Sequence, residues 1–173
     1  RLDELPGVDG VAAMTGLPPS RPVNANDTNF EGLPVGPDQP AQNVYYYQVT
    51  SATYFDAMRI PIRRGRGFQP SDVGGPPVLV VNEALARQHF PRGDAVGRRV
   101  RLGPDPRAPL FEVVGVVGDV RQDGAGTAPR ATAYVLALQD SWGGRDVVVR
   151  TTGDPLAVAA AARRLVRELD PAL

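Results

Sequence analysis

The chain lacks cysteine, lysine and any long hydrophobic run, and these absences remove several classes of function. Without cysteine there are no disulfides, thiolate metal sites or thiol nucleophiles. All 19 basic residues are arginine, so neither Schiff-base chemistry nor a P-loop lysine is available. No apolar run approaches the roughly 18–20 residues that span a bilayer. The 19 acidic residues cancel the basic ones, and without a basic surplus we expect binding neither to nucleic acid nor to an anionic membrane.

The remaining composition is that of a folded protein. Apolar residues make up 42% of the 173 residues, alongside 19 glycines and 18 prolines. This apolar content is high enough to fill a core, so we expect one domain or two subdomains sharing a core. The sequence opens at Arg1 without a signal peptide. We therefore expect a segment cut from a longer protein.

Short strands dominate the predicted secondary structure, and together with three helices they indicate an α+β fold. The predicted strands are Val8–Thr15, Val44–Thr50, Ile60–Ile62, Pro77–Val81, Arg98–Leu102, Leu110–Val120, Ala131–Leu138 and Asp146–Thr151. The strand Pro77–Val81 is continuously apolar, which predicts burial on both faces.

Three helices follow capping residues. Ser51 and Asn82 are predicted to cap short helices that end near Met58 and Phe90. Asp154 precedes Pro155 and a longer helix that extends to about Leu169. Strand, capped helix and strand therefore occur twice in succession, which suggests a repeated unit.

The segment Gly16–Gln42 differs from the rest because it carries six prolines, with asparagine and glycine between them. Each proline removes a backbone donor and biases the residue before it toward extended geometry. We therefore predict an irregular excursion here.

Groups that could carry catalysis are few. The single histidine, His89, lies on a predicted helix, and no G-x-S-x-G elbow presents a serine to it. Asp119, Arg121 and Asp123 lie close together but form neither a metal-binding loop nor an acid–base pair. The glycine patterns at Gly65 and Gly124 end in proline and open no helix, so phosphate binding is not expected. We predict no catalytic, cofactor-binding or metal-binding residues, and no enzyme.

Aromatic side chains leave a second possibility open, a ligand-binding module. The candidates that would line an apolar pocket are Phe30, Tyr45, Tyr46, Tyr47 and Trp142. Ordinary packing within a strand is the competing interpretation of the three tyrosines.

Four blocks, in order, resemble one family. The first is Thr53–Ile62 followed by Arg64–Phe68, which is similar to the signature YF-x-x-M-x-I-P-x-x-x-G-R-x-F. The others are Val80–Arg87 with Phe90-Pro91, then Glu112–Val120, and then Val147–Thr151 with Asp154-Pro155. These blocks resemble the MacB-like periplasmic core domain of ABC transporter permeases, including the FtsX-like permeases duplicated in acidobacteria. The resemblance covers nearly the whole chain from Val44 onward.

The resemblance implies a two-lobed α+β module. A membrane-proximal lobe rich in strand–helix–strand units would comprise mainly residues 1–15, 44–64, 77–92, 110–120 and 131–173. A second, looser, mostly β lobe would be inserted in it and comprise mainly residues 16–43 and parts of 65–76 and 95–110. In this family the domain lies between two transmembrane helices of the permease, which implies that its two ends lie close together.

The function implied by the resemblance is non-catalytic. The domain would relay ATP-driven conformational change across the bacterial inner membrane to a periplasmic partner or cargo, in export or in lipoprotein or peptide handling. The implied partners are a cytoplasmic ATP-binding subunit, acting through the parent's transmembrane helices, and a periplasmic protein. A dimeric parent is left open, and no cofactor is implied. The alternative remains an extracytoplasmic ligand-binding or sensing module.

Overall fold

The computed structural model describes residues 1–18, 24–30, 44–93, 95–102, 105, 107–139 and 146–169. Nine strands and three α-helices lie within them. The strands are β1 (Val8–Met14), β2 (Asn24–Phe30), β3 (Val44–Thr50), β4 (Ile62–Gly65), β5 (Val78–Asn82), β6 (Arg99–Leu102), β7 (Leu110–Val117), β8 (Thr132–Leu136) and β9 (Asp146–Thr151). The helices are α1 (Tyr54–Ala57), α2 (Glu83–His89) and α3 (Pro155–Leu169). The predicted α+β fold is confirmed.

All nine strands belong to one mixed sheet. Its order is β2-β6-β7-β5-β8-β3-β1-β9, and β4 pairs with β7 beside this path. The pairs β3–β8 and β5–β7 are parallel, and the other pairs are antiparallel. Because β2 also pairs with β3, the hydrogen-bonded path from β2 through β6, β7, β5, β8 and β3 closes into a ring.

The core lies on both faces of the central strands. In β5, Leu79 and Val81 pack into one apolar cluster with α2, whereas Val78 and Val80 pack into a second cluster with α1. This alternation follows from the two-residue period of a strand. Every residue of β5 is buried, which confirms the prediction made from its continuous apolar sequence.

The segment predicted to be an irregular excursion contains a strand, and this prediction was wrong at β2. The first half of β2 pairs with β3 and its second half with β6, both antiparallel. Its sequence, NANDTNF, is poor in strand-forming residues. The two flanking strands supply its hydrogen-bond partners, so the sheet overrides local propensity. The division of the chain into two lobes remains a prediction.

The helix caps agree with the predictions at two of three positions. Asn82 accepts a hydrogen bond from the Leu85 amide at 3.0 Å, and Asp154 accepts one from the Leu156 amide at 2.9 Å. Ser51 does not cap α1, because its hydroxyl accepts a hydrogen bond from the Ala13 amide of β1 at 3.1 Å. Among the described residues, no helix has both the length and the apolar composition needed to cross a membrane.

Candidate functional site

Two glycines in the blocks that carry the family resemblance allow the end of β4 to lie very close to its neighbour β7. Gly65 has a positive φ of +65°, which favours glycine. A Cβ added at Gly115 would overlap the Arg66 carbonyl oxygen and lie 2.9 Å from its carbonyl carbon. The Arg66 amide donates to the Val114 carbonyl at 3.0 Å. Both glycines are therefore explained by packing.

The arginine that follows β4 is fixed by a buried carboxylate. Arg66 donates to both oxygens of Asp72, at 2.8 Å each, and the Gln69 amide also donates to Asp72 at 2.8 Å. The Asp72 side chain is 7% exposed. The Arg66 guanidinium holds the pKa of Asp72 below its ordinary value, although burial opposes this shift. The pair locks the turn that follows β4.

The asparagine of the V-V-N-E block joins three elements. Asn82 is fully buried. Its side-chain oxygen accepts from the amides of Leu85 in α2, at 3.0 Å, and Thr132 in β8, at 2.9 Å, while its Nδ2 donates to the Arg130 carbonyl at 2.8 Å. Asn82 is therefore a structural crosslink with its hydrogen-bonding capacity largely used.

The three polar residues that we considered for catalysis each serve local structure. Asp119 accepts from the Ala84 amide at 2.8 Å and from Arg87 at 2.8 Å, so it caps α2. Asp123 pairs with Arg130 at 2.6 Å. Arg121 donates to carbonyls within its own turn, those of Ala125 and Thr127.

Neither a metal cluster nor a histidine-based site is apparent in the part of the chain that the structure describes. No group of three or more His, Cys, Asp or Glu side chains could hold a metal ion there. His89 is half-buried at the end of α2, and burial lowers its pKa. Its ring lies edge-on to Phe90, with 6.4 Å between the centroids.

The aromatic candidates do not form a pocket in the described residues. Tyr47 is 4% exposed and belongs to the core cluster beside α2, so strand packing accounts for it. Tyr46 is half-buried, with the Arg130 guanidinium 4.9 Å from its ring centroid. Trp142 lies outside the described residues, as do the side chains of Phe30 and Tyr45.

A concavity lies where the first residues of the chain approach α3. We call it the terminal cleft. It has a volume of about 660 Å³, and its lining includes residues 1–3, part of β1, the end of α1, Arg150 of β9, and Leu165 and Val166 of α3. The expectation that the ends lie close together therefore agrees with the described residues.

Arg150 is the central side chain of this cleft. Its Nε donates to the Asp9 carboxylate at 2.8 Å, and its Nη1 donates to the carbonyls of Asp56 at 2.7 Å and Ala57 at 2.9 Å. A cation at the carbonyl end of a helix also opposes the negative end of the helix dipole. Arg150 therefore ties β9, β1 and α1 together, and we call this set of contacts the Arg150 joint.

A glycine makes the close approach at the joint possible. A Cβ added at Gly10 would lie 3.3 Å from the Ala57 Cα and 3.5 Å from the Ala57 Cβ. The strand β1 thus lies directly against α1, and a Cβ at Gly10 would point at Ala57. Arg59, with a φ of 54°, adds a further ion pair to Asp9 at 3.8 Å.

The joint could not be predicted from the sequence. Arg150 and Asp9 are 141 residues apart, and no local motif marks either of them. The one sequence signal for the joint is that Arg150 belongs to the last block of the family resemblance. An arginine at this strand position is equally compatible with a solvent-exposed side chain. The pairing depends on the β1–β9 register, in which Gly10 lies opposite Arg150.

Comparison with solved structures agrees with this architecture. The periplasmic region of MacB from Actinobacillus actinomycetemcomitans superposes with a TM-score of 0.62 at 18% identity, covering 97% of this chain and 70% of that one. The extracellular domain of the ABC-type transporter YknZ from Gram-positive bacteria gives 0.63 at 20% identity, covering 96% and 79%. A permease domain from Porphyromonas gingivalis gives 0.64 at 16% identity, covering 96% and 72%.

At these identities the structural likeness establishes the fold. No curated protein sequence matches the chain. The family model of the MacB-like periplasmic core domain matches residues 1–168, nearly the whole chain. The sequence blocks, the fold and the family model agree, and the chain belongs to the family of MacB-like periplasmic core domains of ABC transporter permeases.

Proposed function

We propose that this domain relays ATP-driven conformational change from the membrane-embedded part of an ABC permease to a periplasmic partner or cargo. The observation that carries the proposal is the Arg150 joint. Displacements that enter through residues 1–3 and α3 reach β1 and β9, which line the terminal cleft with them. Arg150 then connects both strands to α1.

From α1 the path continues into the core through aromatic contacts. Tyr54 and Phe55 of α1 are 0% and 2% exposed. Their ring centroids lie 5.7 Å and 5.2 Å from that of Tyr134 in β8. Because protein interiors are close-packed and resist compression, a displacement of α1 moves β8 and the central sheet with it.

The energy source of the relay lies outside this chain. A cytoplasmic ATP-binding subunit would act through the transmembrane helices of the parent protein. The domain itself conveys the displacement and catalyses no reaction. The two carboxylates considered for catalysis, Asp119 and Asp123, support a non-catalytic role because they already hold α2 and a turn in place.

The test compares two arginine variants in the full transporter that carries this domain. Arg150→Gln removes the guanidinium contacts to the α1 carbonyls, and we expect transport to fall while ATP hydrolysis persists. Arg66→Gln removes a bidentate arginine–carboxylate pair whose two residues do not line the cleft. It controls for lost stability, and we expect near-normal transport at a temperature where both variants are folded.

The two variants can be compared because both remove charge-assisted hydrogen bonds, worth about 1.5–3 kcal/mol each. A difference in transport between them is therefore not explained by the loss of such bonds alone. Equal transport by the two variants would contradict the relay through Arg150. Loss of ATP hydrolysis in step with transport would also contradict it, since the relay places Arg150 downstream of the nucleotide.

A ligand-binding role is the second candidate because the terminal cleft, at about 660 Å³, falls in the size range of ligand sites. Val11, in the cleft lining, distinguishes the two functions. Val11→Trp fills the cleft but leaves the donors and acceptors of the Arg150 joint unchanged. Transport that survives this substitution favours the relay, whereas transport lost in a folded protein favours a ligand.

A further inference from the structure

The outward face of α3 carries an unusual combination of side chains. Leu156, Ala160, Arg163 and Arg167 follow one another at helical spacing, with Arg164 beside them, and all are exposed. Leu156 is 79% exposed. The opposite face holds the buried Val158 and the half-buried Ala162, Leu165 and Val166. The outward face is therefore one stripe from a leucine to three arginines, which we call the α3 stripe.

The three arginines differ from most of the other described arginines. Arg66, Arg87, Arg130 and Arg150 each pair with a carboxylate at 2.8 Å or less. Within the described residues, the side chains of Arg163, Arg164 and Arg167 make neither an ion pair nor a hydrogen bond. They line a shallow depression of about 600 Å³ whose one acidic member is Glu168. The stripe is therefore a local cationic surface on a chain with no net charge.

Apolar surface lies directly beside these charges. A second cleft, of about 400 Å³, runs between α3 and β9 and is lined by Leu2, Val147, Val149 and Val166 together with Arg163 and Arg167. Val147 is 48% exposed. Long arginine side chains above exposed aliphatic groups match the boundary between lipid headgroups and acyl chains, where cations meet phosphate and apolar groups lie just beneath.

We propose that the α3 stripe docks on an anionic phospholipid surface. The stripe belongs to the same end of the molecule as residues 1–3, because Leu2 lines a cleft with Arg163 and Arg167. The inference rests on the proposed function in one respect, since a relay must meet the membrane at the end where displacement enters. The guanidinium groups bind the headgroup phosphates, and Leu156 enters the interface.

The test measures cosedimentation of the 173-residue chain with vesicles. The vesicles contain either phosphatidylcholine alone or phosphatidylcholine mixed with phosphatidylglycerol, at low and high salt. We expect binding only to the anionic vesicles, weakened severalfold by high salt because exposed charges are screened. The triple variant Arg163→Gln, Arg164→Gln, Arg167→Gln should bind at least tenfold more weakly.

The matched control removes the same charge from other elements. Arg63→Gln, Arg92→Gln, Arg107→Gln changes three exposed arginines outside α3, and we expect binding within twofold of the unmodified chain. Circular dichroism melting confirms that both triple variants fold. Equal weakening of vesicle binding by the two triple variants would show that only the net charge of the chain matters, and it would overturn the proposal.

A second readout locates the contact. Because the chain has no cysteine, Leu156→Cys carries an environment-sensitive fluorophore at a single position. We expect a blue shift on anionic vesicles, and no shift for the same probe at Gly126→Cys, where a side chain meets open space. No shift at position 156 with a shift at 126 would overturn the proposal.

Two further outcomes separate this proposal from its competitors. Inorganic phosphate at millimolar concentration should not displace the chain from vesicles; displacement would identify a free anion as the ligand. Absence of binding to anionic vesicles, with an acidic protein partner bound instead, would also overturn it. Because Arg150→Gln leaves α3 unchanged, it should retain vesicle binding, so failure of the relay and failure of membrane docking are distinguishable.

Discussion

The close approach of β7 to the residue that follows β4 gives a sharp test of the packing argument through Gly115→Ala. The new Cβ overlaps the Arg66 carbonyl oxygen and lies 2.9 Å from its carbonyl carbon. These are backbone atoms, so no side-chain rotation relieves the overlap and the strands must separate. Overpacking costs about 1–3 kcal/mol, and loss of the Arg66–Val114 hydrogen bond adds about 1 kcal/mol.

We therefore expect Gly115→Ala to lower the free energy of unfolding by about 3 kcal/mol, which corresponds to a fall in Tm of roughly 6–12 °C at this chain length. Urea denaturation and thermal melting measure both quantities. Gly126→Ala is the control, because a Cβ there meets nothing within 4 Å and should change stability by less than ~1 kcal/mol. Equal stability of the two variants would refute the argument that the close approach of Arg66 to β7 requires glycine at position 115.

Three further substitutions test the polar interior. Asn82→Ala leaves the Thr132 amide without its acceptor and removes the α2 cap, so we expect the free energy of unfolding measured by urea denaturation to fall by about 3 kcal/mol. A fall below ~1 kcal/mol would contradict the role of Asn82 as a crosslink. Tyr134→Phe removes a fully buried hydroxyl without a partner among the described residues, and burial raises the pKa of Tyr134 well above 10.0. We expect unchanged or higher Tm, and a clear drop would reveal a hidden partner. Arg66 depresses the pKa of Asp72 from 3.8, so the ionised carboxylate stabilises the fold above pH 3.8 and this stabilisation is lost as pH falls through the lower folded-state pKa. The difference in free energy of unfolding between the unmodified chain and Asp72→Asn should be constant above about pH 5 and become smaller toward pH 2. A difference independent of pH would contradict a stabilising Arg66–Asp72 ion pair.

The elements that sequence predicted well are those whose local pattern and tertiary environment agree. The strand β5 is apolar throughout and buried throughout. The helix α2 follows the predicted capping asparagine, and its Leu85 and Ala86 are fully buried. The local sequence is enough to predict such segments, because the same residues satisfy secondary-structure propensity, helix capping and burial in the core.

The features that sequence missed depend on partners distant in the chain. The strand β2 is rich in asparagine and exists because β3 and β6 flank it. Ser51 resembles a helix cap, yet its hydroxyl bonds to β1. The Arg150 joint connects residues 141 positions apart. No local pattern encodes these contacts, since they follow from sheet order and register.

Helix α3 lies between these cases. Its start at Asp154 and Pro155 and its amphipathic spacing were predictable. Its apolar face is only partly covered, because Val158 is buried whereas Leu165 and Val166 are half-buried and line the clefts. The apolar residues of α3 stay partly exposed because clefts lie beside the helix. The periodicity of the α3 sequence does not reveal these clefts.

The relay through the Arg150 joint is tested most directly by replacing the joint with a covalent bond. A Cβ at Gly10 would lie 3.5 Å from the Ala57 Cβ, within the range that a disulfide spans. In a full transporter carrying Arg150→Gln, we expect Gly10→Cys with Ala57→Cys to restore transport when oxidised and to lose it again when reduced. Transport that stays low in the oxidised form, despite a formed disulfide and continued ATP hydrolysis, would contradict the relay.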